Sequence, residues 1–169
     1  MAHHTRFSFG VSTPTKEEKQ FLLNLGGFIS TVVDEPDMSE RPDYDLADFG
    51  LELDSAEENR LLALTSPTGV TVEEIRHLDL PAVVIYADDD GDVEAAAAIV
   101  EVFLRKFAPD KCVTFTWSVS CDSPRINEFG GGACLVCATG SKMTTTDELV
   151  TSLLSSAGIG QDAKNNYGG

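Results

Sequence analysis

The chain has 169 residues, 42% of them apolar and 24% charged, which suits one ordinary globular domain or a small domain with an attachment. Its 28 acids against 12 bases give a net charge of −16, which argues against direct nucleic-acid binding and against docking on anionic lipid. The longest apolar runs, such as the six residues Ala82 to Ala87, fall far short of the roughly 18 a membrane helix needs.

The opening Met1-Ala2-His3-His4-Thr5-Arg6 is followed by no apolar signal core, so a cytoplasmic location is expected. The first dozen residues read as an arm that Phe7 and Phe9 pin to a surface. Thr15 and Glu18 have capping-box spacing and open a helix with Phe21, Leu22 and Leu25 on one stripe, ended by Gly26-Gly27. Phe28 to Val33 reads as a short strand. The segment 34–58 then carries eleven acids and one base, Arg41, which is −10 of the total charge. Tyr44, Leu46, Phe49, Leu51 and Leu53 are interleaved with these acids, so the segment is not a plain solvated linker. Ser55 and Glu58 suggest a helix start, and Thr71 and Glu74 suggest a short helix over 72–78.

Ala82 to Ala87 reads as a buried strand, and Val93 to Phe107 as an amphipathic helix closed by Pro109. Cys112 to Ser120 alternates, with Val113, Phe115, Trp117 and Val119 on one face, so it reads as a half-buried strand. A glycine-rich loop runs from Cys121 to Gly132. Residues 133–139 read as a strand apolar on both faces, Thr145 and Glu148 open a last helix, and 158–169 is a polar tail.

This order predicts an α+β fold with a three- to four-stranded mixed sheet, helices on one face and a split β-α-β, ferredoxin-like character. Strands 82–87 and 112–120 should run parallel, with 133–139 between them and 28–33 at an edge. The organisation expected is an acidic, partly helical N-terminal segment over 1–66, packed on an α+β core over 67–157, with a flexible tail over 158–169.

Four cysteines are present: Cys112, Cys121, Cys134 and Cys137. Cys134 and Cys137 have C-x-x-C spacing, but residues three apart on a strand point to opposite faces, which disfavours a zinc clamp. Disulfides belong mostly to small secreted domains, so the cysteines read as buried structural thiols.

Two further features could bind something. The run Asp88-Asp89-Asp90-Gly91-Asp92 lies between a strand and a helix, where carboxylates could hold magnesium; the favoured reading is that one Asp caps the helix. In the glycine loop, Arg125 with the backbone of Gly130, Gly131 and Gly132 could cradle an anion; the favoured reading is a wide hairpin. The loop also carries a resemblance. Trp117-x-x-x-Cys121-x-x-Pro124-Arg125, leading to Phe129-Gly130-Gly131-Gly132-Ala133, resembles a pattern in short, uncharacterised bacterial and phage proteins. It spans roughly residues 82 to 150. It implies a phage or mobile-element origin and brings no activity with it.

Catalysis is not expected. The histidines are His3, His4 and the isolated His77, and no nucleophile–base, zinc-protease or dinucleotide pattern occurs. No cofactor and no metal are called for. The leading expectation is a non-catalytic interaction protein whose acidic half binds a basic protein surface, as an inhibitor or a nucleic-acid mimic. Asp43, Asp45, Asp48, Glu52 and Asp54 would carry the electrostatics, and Tyr44 and Phe49 would be anchors. The alternatives are an anion-binding or enzymatic domain on the Arg125 loop and a self-assembling structural protein.

Overall fold

The computed structural model describes residues 3–34, 44–64, 67–75, 82–121 and 130–157. Its strands are β1 (His3–Ser12), β2 (Thr71–Glu74), β3 (Ala82–Ala87), β4 (Cys112–Cys121), β5 (Gly130–Cys137) and β6 (Gly140–Thr145). Its α-helices are α1 (Lys16–Phe28), α2 (Ser55–Leu62), α3 (Val93–Phe107) and α4 (Thr146–Ser156).

The class is α+β, as expected, but the sheet is larger and differently built. It has six strands in the order β2-β3-β1-β4-β5-β6, and every neighbouring pair is antiparallel. The three- to four-stranded mixed sheet is therefore incorrect. Strands β3 and β4 do run parallel across the α3 crossover, but they are not neighbours in the sheet. The strand between them is β1, not β5. Phe7 pairs with Ala87 of β3 on one side and Trp117 of β4 on the other. The supposed arm is thus a central strand. Its alternate positions Arg6, Ser8 and Gly10 are exposed, because they face the side of the sheet that the helices leave open. That polarity disguises a central strand as a tail.

Two other expected elements change type. Residues Ile29–Val33 continue α1 as a π-helical turn instead of forming a strand. Phe28, Ile29, Val32 and Val33 are fully buried, a helical spacing that the β-branched composition masked. The helix runs through Gly26, whose lack of a side chain lets α1 cross β2 closely; a Cβ there would lie 2.6 Å from Val72 Cβ. The expected helix near 72–78 begins instead as β2, whose Val72 pairs with Ile85.

One face of the sheet carries Phe7, Val11, Val83, Ile85, Phe115, Cys134 and Val136, all buried in one core with α1 and α3. Phe9 and Phe115 stack there with ring centroids 4.2 Å apart. Helix α3 is buried from Ala95 to Leu104 with almost no break. Its four consecutive alanines let the sheet approach from below while α1 and α2 close over it. Asp92 caps it, accepting from the backbone N–H of Glu94 at 2.8 Å and Ala95 at 3.2 Å, as the favoured reading of the aspartate run required. Buried Glu101 on the same helix accepts from Arg105 Nη2 at 2.7 Å and lies 3.9 Å from Arg60 Nε. The α2 layer is thereby tied to α3.

The cysteine reading needs correction. Cys112 and Cys137 face each other across β4 and β5 and form a disulfide, with Cα atoms 4.4 Å apart. Cys134 and Cys137 do point to opposite faces, and that geometry frees Cys137 to meet Cys112 on the open side. Cys121 and Cys134 are free thiols, and only Cys134 is buried. Burial pushes the Cys134 thiol up to about 11. No helix among the described residues is long and apolar enough to cross a membrane.

Candidate functional site

Of the acidic segment, Asp34 and residues 44–58 are described and belong to the fold, Asp34 accepting from Thr68 N at 2.7 Å. Between Tyr44 and Glu58 it holds six acids and no base. Its apolar residues point inward. Tyr44 and Phe49 each meet the Phe28 ring edge-on at 5.4 Å, and Leu51 is buried. A 3₁₀ turn, Leu46–Phe49, and helix α2 therefore form an outer layer on which Asp45, Asp48, Glu52 and Asp54 are exposed while Glu57 and Glu58 are half-buried. The side chains expected to anchor a partner are spent mainly on anchoring the segment to its own core. Tyr44 also donates from its hydroxyl to Glu58 Oε1 at 3.0 Å.

The acids divide by task. Asp45 accepts from Ala47 N at 2.9 Å and caps the 3₁₀ turn. Asp54 accepts from Ala56 N and Glu57 N, each at 2.8 Å, and Glu57 returns a bond from the Asp54 N–H at 3.1 Å. This capping box lies one residue before the expected Ser55–Glu58 pair. Asp48 and Glu52 are exposed, and neither caps a helix. Asp43 lies outside the described residues.

Between α1, the 3₁₀ turn and the end of α3 lies a cleft of about 580 Å³. Phe21, Leu51 and Phe107 supply its apolar lining, and Glu17 and Glu52 its acids. Phe21 and Phe107 meet edge-on at 5.2 Å. Lys106 Nζ sits 5.2 Å from the Phe21 ring centroid, donates to the Glu52 carbonyl at 3.3 Å and lies 3.9 Å from the Glu52 carboxylate. Sequence reasoning missed this cleft, because Glu17, Glu52 and Lys106 are far apart along the chain and each looks like an ordinary solvated charge.

The other expected sites fare differently. Gly130, Gly131 and Gly132 open β5 and pair with Val119, Ser118 and Trp117 of β4. Gly131 has a φ of +149°, and a Cβ on Gly132 would collide with the Trp117 ring. Gly131 and Gly132 therefore have a packing role, whereas a Cβ on Gly130 would meet nothing closer than 3.5 Å; Arg125 lies outside the described residues. In the aspartate run, Asp89 bonds to His4 Nδ1 of β1. His4, Asp89 and Asp90 bring one donor atom each within 4.8 Å of one another, a set whose chemistry can hold a divalent cation. On α4, Leu149, Val150 and Leu153 are 53%, 44% and 59% exposed, beside the outermost strand β6.

Compared with known proteins, the chain matches no family model, no curated protein and no solved structure.

Proposed function

We propose that this is a non-catalytic acidic interaction protein whose outer layer, residues 44–58, binds a basic protein surface, as an inhibitor or a mimic of nucleic acid. The observation that carries this reading is the pairing of charge with order. Six carboxylates and no base lie on a segment whose aromatic residues are locked into the core. A fixed acidic surface attracts a basic partner over long range and loses little conformational entropy on docking. Asp48 and Glu52 are the acids to test, because reversing them leaves the caps at Asp45 and Asp54 in place. The double variant Asp48→Lys/Glu52→Lys should keep the thermal midpoint and lose the basic partner. Wild-type affinity should fall steeply as ionic strength rises. Binding that survived the reversal would defeat the reading.

A second reading, self-assembly, is favoured by the exposed Leu149, Val150 and Leu153 beside the edge strand β6. Sedimentation over a concentration series should then show an oligomer that Leu149→Glu/Leu153→Glu converts to monomer. A wild-type monomer at every concentration would remove this second reading and leave the first untouched.

A further inference from the structure

We infer that the cleft between α1, the 3₁₀ turn and the end of α3 is the seat for one arginine side chain of the basic partner. The inference rests on the acidic-partner reading and says where on that surface the partner's charge is recognised.

The cleft combines two features that a guanidinium needs. Its acids, Glu17 and Glu52, complement a cation, and its floor offers the rings of Phe21 and Phe107. A cation over an aromatic face is attracted by the ring quadrupole, and a guanidinium can stack there while its donors reach carboxylates. The molecule already places a cation here. Lys106 holds its ammonium 5.2 Å from the Phe21 centroid and within 3.3 Å of the Glu52 carbonyl. That arrangement is a stand-in for the partner's side chain, supplied by the chain itself.

The stand-in is held loosely. The Lys106–Glu52 ion pair spans 3.9 Å, with the Lys106 side chain 30% and the Glu52 side chain 95% exposed, so its carboxylate end is open to solvent. Exposed pairs of this kind contribute little, because solvent screens them and both side chains lose freedom. An incoming arginine can therefore replace Lys106, taking over its ring contact and its bond to the Glu52 carbonyl, and gain the second acid, Glu17. Neither Glu17 nor Glu52 caps a helix. Thr15 caps α1 in a capping box with Glu18, and Asp54 caps α2. The acids of the cleft thus make no cap bond of the kind that occupies Asp45 and Asp54, although Glu17 lies in the first turn of α1 and favours its dipole.

The test uses the full-length chain, an arginine hexapeptide as probe and a low-salt buffer, read by calorimetry and by the side-chain amide resonances of Gln20 and Asn24, which line the cleft. Lys106→Ala should tighten binding about fivefold by emptying the seat. Lys142→Ala, which removes the same charge from the open face of the sheet, should change it by less than about twofold. Glu17→Gln/Glu52→Gln should weaken it at least about fivefold, and both amides should move on titration. If Lys106→Ala and Lys142→Ala behave alike and the amides stay still, the acidic layer attracts by charge alone; the cleft inference then falls and the acidic reading stands. If the peptide does not bind wild type at low salt, both fall together.

Discussion

At the scale of single residues, the acids are not equivalent, although composition makes them look so. Asp54 closes α2 through two backbone N–H groups, whereas Asp48 caps nothing. Asp54→Ala should cost about 1 kcal/mol in chemical denaturation, and Asp48→Ala should stay within about 0.5 kcal/mol of wild type. Equal losses would mean that the cap bonds do not hold α2. The thiols separate in the same way. Cys134 is buried against the helix layer, and its thiol is pushed up from 9.0 to about 11, while Cys121 is half-buried at the end of β4. In the unreduced, folded protein, a thiol reagent should modify Cys121 quickly and Cys134 only on unfolding. The sign of the pH effect follows from the same burial. Below pH 9 the thiol is neutral in both states and stability is unaffected. Between about pH 9 and 11 the unfolded thiol ionises while the folded one does not, so stability should fall across that window. A Cys134→Ser variant that kept the full alkaline loss would assign it to other groups.

At the scale of elements, legibility followed the strength of local signals. The helices opened by Thr15 and Thr145 were readable because a hydroxyl three residues before a glutamate satisfies two backbone donors, and both capping boxes form. The long apolar period of α3 was equally plain. The same capping-box spacing at Thr71 misled, because pairing of Thr71 to Glu74 with β3 outweighs a local preference of the order of 1 kcal/mol. β1 was illegible for a different reason: a central strand in a sheet open on one side exposes every second residue, and neither neighbour is close in sequence. The disulfide was discounted on compartment and chain length, which are arguments about populations; register, which places Cys112 opposite Cys137, is visible only once the hairpin is formed. The bond spans 25 residues of sequence, so Cys112→Ser/Cys137→Ser should lower stability by about 3 kcal/mol in chain-entropy terms. A loss below about 0.5 kcal/mol in denaturant titration would show that the β4–β5 ladder already confines the unfolded hairpin.

At the scale of the whole molecule, the −16 charge is unevenly distributed along the chain, with eleven acids and one base between residues 34 and 58. A sheet with one open face supports α1 and α3, and the acidic layer closes over α3. The acidic layer of the candidate site was legible as a composition. Its anchoring through Phe28 and its neighbouring cleft were not, since both depend on contacts between α1, the 3₁₀ turn and the end of α3. The most direct test compares wild type with Asp48→Lys/Glu52→Lys as paired baits in lysate of the native host, at low and high salt, with captured proteins identified by mass spectrometry. The expected result is a basic protein held in stoichiometric amount by wild type at low salt, released at high salt and missing from the reversed variant. The same proteins on both baits, or no basic protein on wild type, would contradict the claim that this acidic layer is the binding surface.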